Sequence, residues 1–187
     1  PRNIPPTTIG DELKIATDFK AKVIGVSLKD RAAILPAGHA ADGAYWIDYS
    51  TGTFISSTYY MKELPKWAVD YNKSIGKVTK DQICYTPLGN KITEEMAKAA
   101  VAGEQLGGDN VTDLLAVSFS CTDMIGHKYG THSDKTREIY VDLDKRLADL
   151  FGYLDQNVGK DQYLVFLMAD HGAANSILLS REHGIPA

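Results

Sequence analysis

The sequence predicts an α/β fold with a largely parallel central sheet flanked by helices. Three short segments, residues 22–27, 114–120 and 163–169, are apolar at both odd and even positions, which is typical of strands buried on both faces of a parallel sheet. Segments in which apolar residues recur at helical spacing lie between them. This alternation of strands and helices favours a layered α/β architecture.

The other elements follow from capping residues, turn residues and the spacing of apolar side chains. In chain order we expect a helix over 12–19 capped by Asp11, a small β-hairpin insertion made of 43–48 and 53–60 around the turn 49–52, a helix over 62–73 whose regular part follows Pro65, a helix over 94–106 that begins at Thr93 and ends at Gly107, and a long helix over 133–158. The mixed signals of residues 74–90 predict no element.

Length and charge bound the function classes. The chain has 187 residues, 44% of them hydrophobic, so we expect residues 1–187 to form one unit with a buried core. The net charge of −4 without a cluster of Lys and Arg argues against a nucleic-acid or membrane-surface partner. No apolar stretch approaches the roughly 20 residues of a membrane span. Two cysteines, Cys84 and Cys121, do not make a disulfide framework and leave the redox compartment open.

Ionisable side chains follow each of the three predicted parallel strands directly. They are, in chain order, Lys29 and Arg31, then Asp123 and His127, then Asp170 and His171. Because the carboxyl ends of parallel strands meet at one edge of a sheet, we expect these side chains to converge on one crevice. Carboxylate and imidazole together suit Zn²⁺, or another borderline divalent metal such as Mn²⁺, better than Ca²⁺.

Other interpretations of these residues stay open at this point. An Asp and a His four residues apart are often a surface pair, and an Asp after a strand is often the N-cap of the next helix. Lys29 and Arg31 are often a solvated edge, or ion-pair partners of Asp30 or Glu12. The whole chain would then be a non-catalytic α/β module.

Several segments resemble the alkaline phosphatase superfamily, and specifically its PafA-like branch of bacterial phosphate monoesterases, which are relatives of the type I phosphodiesterases and nucleotide pyrophosphatases. The resemblance is carried by residues 10–13, 23–34, 38–46, 118–130 and 169–173. The Asp-x-x-x-His and Asp-His-Gly patterns are typical of the superfamily, and the Lys-Asp-Arg segment at 29–31 is more specific to this branch.

The resemblance implies an alkaline-phosphatase-like fold and a site with two Zn²⁺ ions. Asp123 and His127 would bind one ion, Asp170 and His171 would bind the other, and Lys29 and Arg31 would contact phosphoryl oxygens of small phosphate monoesters. The reaction implied is hydrolysis through a covalent phosphothreonine or phosphoserine intermediate. The alternatives within the superfamily are a phosphodiesterase or nucleotide pyrophosphatase, a sulfatase and a phosphoglycerate mutase. Family members are exported, which implies a periplasmic or extracellular protein.

The family pattern needs a nucleophilic Thr or Ser and further metal ligands that this chain does not supply. The chain begins at Pro1 without Met and ends at Ala187 without a polar tail, which we interpret as an internal fragment with an incomplete core. Because zinc usually takes three or more protein ligands, we expect the fragment alone to bind zinc weakly or not at all and to be inactive. Its partners would be the missing N-terminal and C-terminal segments of the same protein.

Overall fold

A four-stranded sheet lies at the centre of the structure, a computed structural model that describes residues 6–174, 181 and 184. The strand order is β3-β2-β1-β4, with β1 parallel to both of its neighbours and β3 antiparallel to β2. The strands are β1 (Val23–Ser27), β2 (Gly43–Asp48), β3 (Thr53–Ile55) and β4 (Leu114–Ser118). The predicted parallel sheet and its β-hairpin insertion are therefore confirmed, with a second hairpin strand shorter than expected.

Seven α-helices of the described residues surround this sheet. They are α1 (Ile9–Ala16), α2 (Asp30–Ala37), α3 (Lys66–Ile75), α4 (Lys80–Tyr85), α5 (Leu88–Glu104), α6 (Cys121–Tyr129) and α7 (Asp134–Leu154), the last of which runs into a π-helical turn, Asp155–Gly159. The helices predicted over 62–73 and 133–158 correspond to α3 and α7. The unassigned residues 74–90 contain α4, which begins with a reciprocal cap between Thr79 and Gln82.

Helices cover both faces of β1, because successive side chains of a strand point to opposite sides. Ile24 and Val26 belong to the main core together with Met96 of α5. On the other face, a Cβ built on Gly25 would lie 2.1 Å from the Ala33 carbonyl oxygen of α2. Only glycine permits α2 to approach this closely, and the position of α2 matters because Lys29 immediately precedes it.

Two predicted helix starts are wrong, because the first helix has an earlier cap and the second begins directly after Pro87 without a side-chain cap. The first helix begins at Ile9 with Thr8 as its N-cap, and Asp11 is the third helical residue, whose carboxylate accepts from the Thr8 backbone N–H at 2.9 Å. The helix predicted from Thr93 begins six residues before Glu94, and Thr93 lies buried inside it with its hydroxyl on the Gly89 carbonyl.

The third predicted parallel strand, residues 163–169, is also wrong for this structure, since the segment pairs with no strand of the described chain. Its apolar side chains are largely exposed, Leu164 to 79% and Met168 to 84%. Strand β4 is likewise only partly buried along its length, because within the described residues it pairs with β1 and with no strand on its other side. The apolar pattern of both segments exceeds the burial that the described part of the chain provides. No helix in the described ranges combines the length and the apolar character that crossing a membrane requires.

Candidate active site

The carboxyl ends of β1 and β4 are joined by a buried pair of serines. Ser27 is the register partner of Ser118, and its hydroxyl donates to the Ser118 carbonyl oxygen at 3.1 Å. The same hydroxyl lies 3.2 Å from the Ser120 hydroxyl. These contacts hold the two strand ends together, so the residues that follow them start from a common point. Sequence reasoning gave Ser27 no role, although a polar residue at the end of a buried strand was a signal of such a contact.

Lys29 and Asp123 form the central ion pair of the site. Lys29 is the N-cap residue of α2, Asp123 lies in the first turn of α6, and the Lys29 ammonium is 2.6 Å from the Asp123 carboxylate. A carboxylate in the first turn also interacts favourably with the positive end of the helix dipole. Lys29 does not form an ion pair with Asp30 or Glu12, the alternative partners considered from the sequence, because the strand ends bring Asp123 closer.

Both predicted histidines lie around the same carboxylate. His127 Nε2 is 3.1 Å from Asp123 Oδ1, one helical turn along α6. His171 Nε2 is 3.9 Å from that oxygen and 3.5 Å from Asp170 Oδ2. The segment after residue 169 thus reaches the carboxyl edge of the sheet, even though the preceding residues are not a strand. Three of the four predicted metal ligands, Asp123, His127 and His171, therefore lie together, whereas Asp170 is 89% exposed and contacts its neighbour His171.

The electrostatics of the site favour the ionised form of Asp123. Partial burial raises the pKa of its carboxyl, but the hydrogen bond and charge of Lys29, together with His127 and His171, outweigh burial and lower this pKa below its ordinary value. The pKa of His171 is raised by its hydrogen bond to the Gly172 carbonyl and by the charge of Asp170. The carboxylate is therefore the preferred anchor for a cation.

Arg31 lies near the start of α2 but does not join the cluster. Its side chain is exposed, and within the described part of the chain its guanidinium makes no hydrogen bond or ion pair, while its backbone N–H donates to Asp30 Oδ1 at 2.7 Å. Its five donors are available to a ligand. Of the histidines without an expected role, His132 is exposed and His183 lies outside the described residues.

The cluster has the types of donor atom that a zinc site uses, but these atoms are not positioned around a common point. Across the residues that the structure describes, no three His, Cys, Asp or Glu side chains are already positioned to hold a metal ion. The donors instead contact one another, and Lys29 holds one oxygen of Asp123. Carboxylate oxygen and imidazole nitrogen nevertheless are the donor types that Zn²⁺ takes, so the residues fit this metal in kind.

A family model described as type I phosphodiesterase / nucleotide pyrophosphatase matches residues 15–179, which include every residue of this cluster. The chain belongs to that family. Among its relatives, the alkaline phosphatase PafA of Elizabethkingia meningoseptica is 42% identical over 235 residues, covering 100% of this chain and 43% of the relative. The alkaline phosphatase PhoV of Synechococcus elongatus is 41% identical and covers 94% of this chain and 40% of the relative.

A solved structure of this phosphodiesterase family supports the same conclusion about the fold. The crystal structure of wild-type alkaline phosphatase PafA superposes with a TM-score of 0.95 over 100% of this chain at 42% identity, and the match covers 45% of that structure. The fold is therefore that of the alkaline phosphatase PafA, as the sequence resemblance implied. This member of the family spans less than half the length of the curated relatives that it matches.

Proposed function

We propose that the full-length protein containing this chain is a zinc-dependent hydrolase of phosphate monoesters that forms a covalent phosphothreonine or phosphoserine intermediate. The observation that carries the proposal is the surroundings of Asp123, with Lys29 at 2.6 Å, His127 at 3.1 Å and His171 at 3.9 Å. A cation, a carboxylate and two imidazoles at the carboxyl edge of a parallel sheet are the components of a metal-assisted phosphoryl-transfer site. The alkaline phosphatase names of two relatives support the same reaction class.

Asp123 and His127 are the residues that would hold one zinc ion, and Asp170 and His171 are those that would hold the second. Bound zinc supplies Lewis-acid polarisation of the phosphoryl oxygens and lowers the pKa of an attacking hydroxyl. Each pair provides two donors, whereas catalytic zinc usually takes three protein ligands. The remaining donors and the nucleophilic hydroxyl therefore belong, in this proposal, to parts of the protein outside residues 1–187.

Lys29 is suited to hold a phosphoryl oxygen while it remains bonded to Asp123. An ammonium group has three N–H donors and Asp123 accepts from one of them, so two are left for a substrate. Its place at the N-terminus of α2 adds the positive end of that helix dipole to its own charge. Lys29 would then link the metal-binding carboxylate to the substrate.

Arg31 adds a second contact of different geometry. Its exposed guanidinium presents a planar fork that matches two oxygens of one phosphoryl group. A phosphate monoester has three non-bridging oxygens, whereas a diester has two and an additional substituent in place of the third. Two cations at this position therefore favour a monoester over a diester.

Hydrolysis of three p-nitrophenyl compounds by the full-length protein tests the proposal. The protein should hydrolyse p-nitrophenyl phosphate, lose this activity in a chelator such as dipicolinate, and regain it with zinc. Bis-p-nitrophenyl phosphate and p-nitrophenyl sulfate should be poor substrates. Activity that survives complete removal of divalent metal, or a preference for the sulfate, would overturn the assignment.

Hydrolysis of diesters is the second candidate function, and the description of the matching family model favours it. The two candidates share the metal donors and differ in what Lys29 and Arg31 contact. The ratio of kcat/KM for the monoester to that for the diester separates them. A ratio above one favours the phosphatase, and a ratio below one favours the phosphodiesterase or nucleotide pyrophosphatase.

We propose further that residues 1–187 alone are inactive and bind zinc weakly, because each ion would keep two protein donors and no nucleophile. Zinc titration and a p-nitrophenyl phosphate assay of the isolated chain test this directly, and tight stoichiometric zinc or sustained turnover would refute it. We also propose, from the export that the family resemblance implies, that the full-length protein is periplasmic or extracellular. Cell fractionation against a cytoplasmic marker enzyme tests that location.

A further inference from the structure

Two buried cysteines lie on helices that pack against each other next to the candidate site. Cys84 is in α4 and Cys121 is the first residue of α6, two positions before Asp123. Both are free thiols, with 2% and 0% of their surfaces exposed. The proposed hydrolysis uses neither of them.

The contacts of Cys121 bring its sulfur close to the backbone of Cys84. The Cys121 thiol donates to the Ile83 carbonyl oxygen at 3.3 Å, and that carbonyl is bonded directly to the Cys84 nitrogen. Standard peptide dimensions then place the Cys121 sulfur within roughly 6 Å of the Cys84 Cα. In a disulfide each sulfur lies roughly 4 Å from the Cα atom of the partner cysteine, so a movement of α4 by about 2 Å is enough for the sulfurs to meet.

Two neighbouring residues shape the space that the thiols share. The Tyr49 side chain lies beside the two thiols, and its pKa is raised first by burial and then by the nearby Cys84 and Cys121. Gly89 faces the second thiol closely, since a Cβ built there would lie 2.4 Å from the Cys121 sulfur. The tyrosine and the two sulfurs thus line one small apolar region between α4 and α6.

We propose that Cys84 and Cys121 are a redox-active pair that closes to a disulfide, which joins α4 to the helix carrying Asp123 and His127. The oxidant is an external disulfide such as oxidised glutathione. One cysteine attacks it and releases one glutathione thiol, and the second cysteine then displaces the other glutathione. The two cysteine sulfurs lose two electrons and two protons, and the external disulfide is reduced to two thiols.

The surroundings of the thiols make this reaction slow in the folded protein. Both sulfurs are almost completely shielded from solvent, so an external disulfide cannot reach them while α4 and α6 stay packed together. Attack therefore requires a local opening of α4, which has only six residues. We expect the native thiols to react at least about tenfold more slowly than the same thiols in urea.

Peptide mapping of the full-length protein tests the pairing without reference to activity. Trypsin cleaves after lysines 80, 91, 98 and 128, so Cys84 is the single cysteine of peptide 81–91 and Cys121 that of peptide 99–128. After incubation with oxidised glutathione, removal of excess reagent and trapping of residual thiols with iodoacetamide, we expect these peptides joined, with a mass two hydrogen atoms below their sum. The joined peptide should disappear with dithiothreitol.

Cys84→Ser and Cys121→Ser serve as matched controls that retain a hydroxyl donor, and neither should give the joined peptide. Two outcomes on the unaltered protein overturn the proposal. One is the presence of glutathione on the two cysteines separately without a link between them. The other is a link that forms only after unfolding in urea. The chemical step does not depend on the proposed hydrolase function, so either idea can fail without the other.

Discussion

The Lys29 ammonium and the Asp123 carboxylate are 2.6 Å apart, although they follow different strands and are separated by 93 residues of intervening chain. The pairing joins a residue expected to bind phosphate to one expected to bind metal. Both side chains are partly buried, 34% and 28% exposed, so solvent screens the pair less than an exposed one. Under the proposed function, this one contact would couple substrate binding to metal binding.

Replacement of Lys29 and Arg31 in the full-length protein should selectively reduce hydrolysis of monoesters. A hydrogen bond to a charged group contributes about 1.5–3 kcal/mol, so we expect K29M/R31M to lower kcat/KM for p-nitrophenyl phosphate by roughly tenfold or more for each cation lost. The value for the diester should fall much less. Lys135→Met, which removes a cation from an exposed ion pair with Glu138, should change neither value. An unchanged ratio of monoester to diester hydrolysis in the double variant contradicts the assigned contacts.

Replacement of Asp123 should remove metal from the full-length protein. Asp123→Asn keeps the size of the side chain but removes the charge that Lys29, His127 and His171 surround. We expect the zinc content after dialysis, measured by elemental mass spectrometry, to fall by about half or more. Phosphatase activity should be lost as well. Asp144→Asn, an exposed carboxylate on α7, should retain both. Full zinc content in Asp123→Asn would show that the metal lies elsewhere.

The contact between β1 and α2 should be intolerant of any side chain at Gly25. A Cβ there would lie 2.1 Å from the Ala33 carbonyl oxygen and 3.0 Å from the Ala37 Cβ, so Gly25→Ala has to push α2 away from the sheet. We expect a loss of about 3 kcal/mol in the free energy of unfolding, measured in urea, and a displaced Lys29 with lower activity. The matched control is Gly152→Ala in α7, where a Cβ meets nothing within 4 Å. That change should raise the free energy of unfolding by about 0.5–1 kcal/mol.

The sequence predicts the proximity of Lys29 and Asp123 because both residues follow the ends of buried strands. β1 and β4 were recognisable from apolar residues on both parities, and two parallel neighbours must bring Lys29 and Asp123 to one edge. The two residues therefore come close to each other once β1 and β4 are neighbours in the sheet. The helix boundaries were less predictable, because Thr8 and Thr93 are both plausible N-caps and only packing decides between cap and interior.

Residues 163–169 show what sequence patterns leave out. The apolar residues of a segment show which side chains would be stabilised by burial. Whether they are buried depends on the strands and helices that pack against the segment. In this chain the segment finds no neighbouring strand in the described residues, yet its end still brings His171 to within 3.9 Å of Asp123. The apolar pattern thus anticipates more covering material than the described residues provide around this segment.

That difference gives a prediction about Leu167, which is 81% exposed here. In the isolated chain, Leu167→Ser should change the free energy of unfolding by less than about 0.5 kcal/mol, as for other exposed sites. In the full-length protein we expect the same substitution to cost about 2–3 kcal/mol, because the leucine is buried there by segments outside this chain. Urea unfolding of both proteins, each with and without the substitution, measures the two effects, and the isolated chain serves as the control for the full-length protein. As a second measurement of the same exposure, the isolated chain should bind the dye ANS more strongly than the full-length protein does. An equally small effect of Leu167→Ser in both proteins would mean that the segment is solvent-exposed in the full-length protein as well.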